Sequence, residues 1–233
     1  MHERIKERVL EANLALVRHK LVVFTWGNAS ERDPGTGHMI IKPSGVPYDE
    51  MTAGQMVVLD RDGNQIEGDL RPSSDARTHL ILYAHFRDIG GVVHTHSEWA
   101  TSWAQAGRSL PPYGTTHADY FHGPVPCTRP LTREEVEGDY EASTGEVIVE
   151  TFRDLDPLGV PGVLVYGHAP FTWGKDANEA VHNAVVLEEV AKMAFRNQVL
   201  GNTTPIDPFL LDKHYKRKHG RDAYYGQKRK GKR

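Results

Sequence analysis

Two histidines one residue apart, in His94-Thr95-His96, close a short β-branched run that a glycine pair opens at Gly90-Gly91. In a strand, side chains alternate between faces, so His94 and His96 point one way and Thr95 the other. Protonated, two such imidazoles repel; neutral, they suit one divalent metal. The spacing alone leaves open either a chelating pair or ordinary packing histidines. His168, in Gly167-His168-Ala169-Pro170, follows the run Val163-Leu164-Val165-Tyr166 and repeats the placement at a strand end. Asp75 closes Arg71-Pro72-Ser73-Ser74-Asp75, ahead of an apolar-periodic segment from Thr78 to Phe86. Three strand-end histidines and a carboxylate at a helix start would make a nitrogen and oxygen site suited to zinc. Cys127 is the single cysteine, so a disulfide within the chain and a cysteine-based zinc site are excluded.

A second chemistry attaches to the turns. Ser73-Ser74-Asp75 is what helix capping demands. The same hydroxyls and N–H groups at the positive end of a helix dipole also make an anion site. Gly27-Asn28 follows an apolar run, and Pro43-Ser44-Gly45 follows another; each is a turn that offers backbone N–H groups to a ligand.

The elements that must position these groups are read from periodicity. Ile5, Val9, Ala12 and Leu16 make a helical stripe over residues 3–19. Strands are predicted at 21–26, 39–42, 56–59 and 65–68, the last two joined across Asp62-Gly63. A helix is predicted from Thr78 to Phe86, then the histidine strand, then a helix from Ser97 to Ala106 that Gly107 ends. Residues 113–121 are polar and aromatic without periodicity, a cleft-lining segment or a plain surface loop. Alternation predicts a strand over Glu146 to Phe152 and another over 163–166. Long helices are predicted at 177–200, where His182 is a packing or surface histidine, and at 211–227, breaking near Gly220.

The 233 residues suffice for one large domain with a buried core. No apolar run approaches the roughly 20 residues of a membrane helix, and residues 1–20 are charged without an apolar signal region. These features give the expectation of a cytoplasmic protein without a membrane partner. The net charge of −3 divides unevenly: residues 212–233 carry +8 and the preceding 211 carry −11. The final basic residues, 228–233, are read as a disordered, solvated tail and not as a nucleic-acid arm.

Taken in order, Trp26-Gly27-Asn28, Lys42-Pro43-Ser44-Gly45, Pro72-Ser73-Ser74-Asp75, His94-Thr95-His96-Ser97 and Gly114-Thr115-Thr116-His117-Ala118-Asp119-Tyr120 form a pattern. With Pro161-Gly162-Val163-Leu164, Ala180-Val181-His182-Asn183-Ala184 and Ala223-Tyr224-Tyr225-Gly226-Gln227, the chain resembles the class II aldolase/adducin family over residues 1–227. The likeness is strongest to the family's sugar-phosphate 4-epimerases. It implies a single-domain, three-layer α/β/α fold with a central, largely antiparallel sheet flanked by helices. It implies that His94, His96 and His168 hold zinc, with manganese or cobalt as substitutes, and that Asp75 is a further ligand or close neighbour. It implies that Gly27, Asn28, Ser44, Gly45, Ser73 and Ser74 hold a substrate phosphate. Asp119 and Tyr225 would be the acid/base pair, Tyr225 reaching in from a neighbouring subunit, with Thr116 and His214 in support. The implied assembly is a homotetramer with its sites at subunit interfaces.

The implied reaction interconverts L-ribulose 5-phosphate and D-xylulose 5-phosphate. The hydrogen on C4 is not adjacent to the carbonyl, so simple deprotonation is hard. Cleaving C3–C4 places the charge on an enediolate that a metal can stabilise. Rotation of the glycolaldehyde phosphate and re-addition then invert C4, with two groups exchanging the proton of the C4 oxygen. The alternative is a family aldolase acting on fuculose or rhamnulose 1-phosphate. Such aldolases carry a glutamate base near the Ser-Ser-Asp position, whereas Asp75, Asp119 and Tyr225 favour the epimerase. A scaffold protein of adducin type, a cupin and an amidohydrolase fit the motifs less well.

Overall fold

The computed structural model describes residues 2–220 and 223–224. In chain order the elements are α1 (Glu3–Arg18), β1 (Asn28–Arg32), β2 (Met39–Ile41), β3 (Val57–Leu59), β4 (Gln65–Glu67), α2 (Ala76–His85), β5 (Gly91–His94) and α3 (Glu98–Gln105). They continue as α4 (Thr115–Ala118), α5 (Arg133–Glu137), α6 (Tyr140–Thr151), β6 (Gly162–Leu164), β7 (Pro170–Gly174), α7 (Ala177–Val199) and α8 (Pro208–His219). The strands form one seven-stranded sheet in the order β4-β3-β2-β1-β5-β7-β6, with every neighbouring pair antiparallel.

Period-two alternation divides the sheet's side chains between two helix layers. Met39, Ile41, Val57, Leu59 and Val92 point into a core with Leu82 and Tyr83 of α2, Ile148 of α6 and Phe152, which caps α6. Ala29 and Val93 face Ala12 and Leu16 of α1 and Ala180, Val181 and Ala184 of α7. Ile40 and Val58 also face α1, through Ile5 and Val9. Strands β2, β3, β5, β6 and β7 are buried on both faces, so their sequences read as apolar runs and not as alternations. The expected α/β fold with a central antiparallel sheet between helices is the one observed.

Several elements depart from the sequence reading. Residues 21–26 form no strand. Lys20 adopts φ 58°, and the Leu21 N–H reaches back to the Leu16 carbonyl, so this apolar run begins as the cap that ends α1. Phe24 is also left-handed, at φ 52°, and the strand starts only at Asn28. Residues 146–152, expected as a strand, form the end and the C-cap (Phe152) of helix α6. Asp139 caps it by accepting from the Ala142 N–H, and Thr144, Val147 and Ile148 make its buried stripe. Residues 113–121, read as lacking regular structure, contain the one-turn helix α4. Strand β7 is hidden from the pattern because it opens with a proline; as its first residue, Pro170 costs little there. The last helix ends at His219, capped by Gly220; the end of its predicted span, from Tyr225 to Gln227, and the tail at 228–233 lie outside the described residues.

The glycine pair before the histidines has a packing cause. A Cβ on Gly90 would sit 2.1 Å from the Lys175 carbonyl oxygen, and one on Gly91 would sit 2.3 Å from the Asp176 carbonyl. The loop entering α7 thus rests directly on the strand that carries His94. Gly91→Ala is expected to lose about 3 kcal/mol, the upper end of ordinary overpacking, in urea denaturation. Gly114→Ala, whose Cβ would meet nothing within 4 Å, is expected to stay within about 0.5 kcal/mol of the parent.

Candidate metal centre and anion pocket

The sheet register places the histidines. β5 lies between β1 and β7, with His94 opposite Asn28 on one side and Phe171 on the other. The β6–β7 turn, residues 165–169, closes through Val165 N–H to the Ala169 carbonyl and a left-handed Gly167, and it lifts His168 over the same strand end. The ring centroids of His94, His96 and His168 then lie 4.9, 4.9 and 5.0 Å apart. One ligating atom from each falls within 4.8 Å of the others, and this is a group that could hold a metal ion.

Hydrogen bonding fixes which nitrogen faces the centre. His94 Nδ1 stands 3.0 Å from the Pro170 carbonyl, which only accepts, so Nδ1 carries the proton and Nε2 presents a lone pair. That Nε2 is 3.2 Å from His96 Nε2. Phe171 stacks on the His94 ring at 4.2 Å and holds its plane. Burial pushes His96 below its ordinary pKa and takes His168 down to about 4, with the neighbouring imidazoles adding to both shifts. Neutral, converging imidazoles suit a divalent cation, and the residues present fit one.

The histidines form the floor of a cavity of about 580 Å³. Gly27, Asn28, Ser44, Gly45, Ser73, Ser74 and Asp75 line it, so every residue expected around a phosphate or beside the metal arrives at one place. Gly27 is obligatory. It adopts φ +87°, and a Cβ there would sit 2.8 Å from the His94 carbonyl oxygen. A β-bridge between Pro43 and Pro72 ties the two serine loops together. The Ser44 and Ser73 N–H groups are spent on the Arg71 and Lys42 carbonyls, so what these two serines can offer a ligand is their hydroxyls.

Asp75 departs from the capping reading. It sits at the N-cap position of α2, yet its side chain makes no cap bond. Instead Asn28 Nδ2 donates to Asp75 Oδ2 at 2.6 Å and to Ser73 Oγ at 3.0 Å. Burial alone would raise this carboxyl, but His94, His79 and the Asn28 donor outweigh it and leave the pKa below its ordinary value. The mutually close ligand atoms belong to the three histidines; Asp75 lines the same pocket beside them.

Lys42 is a pocket residue to which the sequence reading gave no role. Its side chain is buried, with Nζ 3.2 Å from the Pro43 carbonyl and 5.1 Å from the Tyr48 ring centre, and burial lowers its pKa. A lysine closing the strand Met39-Ile40-Ile41 was the available signal. Thr25, Trp26, Tyr140 and Glu141 complete the lining.

The remaining expected residues lie elsewhere. Asp119, Thr116 and His214 are absent from this lining, and Tyr225 falls outside the described residues. Asp119, at the end of α4, is gripped by α8. Arg217 donates from Nε and Nη2 at 3.0 and 2.7 Å, His214 Nδ1 approaches to 3.0 Å and Lys218 Nζ to 3.3 Å. Burial opposes ionisation there, but the Arg217 and His214 donors prevail and keep the pKa below its ordinary value. Thr116 is exposed on α4. A larger cavity of about 750 Å³ lies at the opposite end of β1. Its Arg8 pairs with Glu31 and its Arg32 with the carbonyls of Tyr83, Arg87 and Ile89, so its cations are largely spent on the fold.

The class II aldolase and adducin N-terminal domain matches residues 7–195. The L-ribulose-5-phosphate 4-epimerase UlaF of Salmonella paratyphi C (strain RKS4594) is 56% identical over 227 residues, which is 97% of this chain and all of that protein. The enzyme of the same name from Salmonella typhi matches to the same extent. Among solved structures, an L-fuculose 1-phosphate aldolase superposes with a TM-score of 0.78 at 25% identity, covering 91% of this chain and 94% of its own. The l-fuculose-1-phosphate aldolase of Thermus thermophilus gives 0.67 at 22% identity, covering 88% and 99%.

Two measurements follow from this geometry. Zinc at 100 times its dissociation constant should stabilise the chain by about 2.7 kcal/mol in thermal denaturation, and His94→Ala should abolish that gain. The second concerns pH. Burial depresses His79 to about 3 and His117 to about 4, from an ordinary 6.5. The unfolded chain therefore binds more protons than the folded one between pH 6.5 and 4, and stability falls as pH drops through that window. Urea unfolding of the metal-free protein at pH 7, 5.5 and 4.5 should show this decline, and His117→Gln should flatten it.

Proposed function

The chain belongs to the class II aldolase and adducin family, and on that footing we propose that it is a metal-dependent 4-epimerase interconverting L-ribulose 5-phosphate and D-xylulose 5-phosphate. The observation that carries this reading is the single pocket that joins a three-histidine cluster to two serine loops at a helix N-terminus. Close likeness to an epimerase of that name along nearly the whole chain supports the substrate.

In this reading the phosphate lies against the hydroxyls of Ser44, Ser73 and Ser74, the Lys42 ammonium and the N-terminus of α2. Zinc on His94, His96 and His168 would supply positive charge beside the oxyanion that develops as C3–C4 breaks. Asn28 keeps the Asp75 carboxylate turned into the pocket. One group removes the proton of the C4 oxygen, the bond electrons pass to the enediolate, and the aldehyde fragment turns. Re-addition then forms C3–C4 on the opposite face, and a second group returns the proton to the oxygen. Asp119 and Tyr225 are assigned to these two transfers, with Thr116 and His214 in support. The phosphate anchor keeps the aldehyde fragment from escaping while it turns.

Asp119 lies outside the pocket lining of its own chain, so the working unit in this reading is a homotetramer in which Asp119 and Tyr225 enter a neighbour's pocket. No helix among the described residues is long and apolar enough to cross a membrane, and the reading places the enzyme in the cytoplasm. Fold likeness to fuculose 1-phosphate aldolases favours retro-aldol cleavage as the second reading, with release of a triose phosphate.

A coupled assay of the zinc-loaded protein on L-ribulose 5-phosphate is expected to yield D-xylulose 5-phosphate, and His96→Asn to abolish it. Triose phosphate released only from L-fuculose 1-phosphate would instead establish the aldolase. Asp119→Asn should lower kcat by about 10²-fold or more with zinc content unchanged. Refolding the two inactive variants together should restore activity, because shared sites leave some hybrid pockets intact.

A further inference from the structure

The three histidines are not held alike. His94 is locked by the Pro170 carbonyl and by Phe171 stacked on its face. His168 instead stands in a turn beside a left-handed Gly167, where no strand pairing fixes its ring. The hydroxyl of Tyr140 stands 3.4 Å from His168 Nδ1, within hydrogen-bond reach. Tyr140 is the first residue of α6, directly after the capping Asp139, so a helix positions its ring independently of the turn. It is half-buried, it lines the metal pocket, and its ring centre is 6.2 Å from that of His168.

A neutral imidazole carries one proton. When Nε2 ligates a metal, that proton resides on Nδ1 and needs an acceptor. For His94 the acceptor is a backbone carbonyl. Resting on the metal-dependent reading above, we propose that Tyr140 is the positioning residue that accepts the His168 Nδ1 proton, fixes the tautomer that turns Nε2 to the metal, and so sets metal affinity. The opposite arrangement has the opposite consequence. If His168 ligated through Nδ1, the Tyr140 hydroxyl would compete for that lone pair, and its removal would leave binding unchanged or tighten it.

The test uses the full-length protein freed of metal, titrated with zinc against a chelating dye and with cobalt by visible absorption. Tyr140→Phe, which keeps the ring, is expected to weaken zinc binding roughly 10–100-fold and to alter the cobalt spectrum, while metal-free thermal stability stays at the parent value. Tyr140→Gln, which retains an acceptor oxygen, should recover part of the affinity. Equal or tighter zinc binding by Tyr140→Phe, with an unchanged cobalt spectrum, would overturn the inference alone. A parent chain that bound neither metal would overturn the metal reading and this inference with it. Neither outcome depends on which sugar phosphate is the substrate.

Discussion

Everything at the pocket hangs on one cross-strand row. Asn28 of β1, His94 of β5 and Phe171 of β7 sit side by side across three antiparallel strands. Asn28 reaches out of the row to Asp75 and Ser73 at the start of α2, while Phe171 stays within it, stacked on the face of the His94 ring. Pro170, next to Phe171, binds the His94 Nδ1 proton through its carbonyl. A one-residue slip of β5 would turn His94 to the opposite face of the sheet and separate all of these groups. The row is secured because β5 is buried on both faces, so a slip would also exchange its contacts with the two helix layers.

The electrostatics follow from that placement. Clustering histidines costs little as long as they stay neutral, and burial drives His96 and His168 that way. Asp75 and Lys42 bring opposite charges to the same pocket, and the Asp75 charge offsets part of the burial that lowers the Lys42 pKa. Asn28 Oδ1 and His79 Nε2 are buried without a hydrogen-bond partner among the described residues, the first of them in a residue that lines the pocket. Asp119 shows the reverse arrangement, a carboxylate surrounded by donors from α8 and held ionised.

The chemistry was more legible in the sequence than the elements bearing it. The histidine pair, His168 and the Ser73-Ser74-Asp75 turn all converge as their spacing and the family resemblance implied. Local pattern failed where tertiary contacts overrode it. Residues 146–152 alternate in composition, but a capped helix start at Asp139 and packing on α2 decide the matter. Residues 21–26 close α1, pack Leu21 and Val22 into the core and bring Thr25 and Trp26 to the pocket, which a period-two reading cannot distinguish from a strand. Asp75 looked like a cap because position alone suggests one; its bond to Asn28 depends on a contact 47 residues away in sequence. Lys42 went unassigned for a related reason, since only the folded chain shows a lysine enclosed beside two serine loops.

The central position of β5 also bears on the order in which the chain becomes native. Its partners are β1, some 60 residues earlier, and β7, some 80 residues later, and its glycine pair admits the loop entering α7. Long loops must close before these pairings give any return, and folds dominated by such contacts are slow. His94 and His96 meet early, being neighbours, whereas His168 joins them only once the last two strands have docked. A complete three-nitrogen cluster thus requires the long-range pairing of β5 with β7, and full metal affinity marks a chain in which that contact has closed.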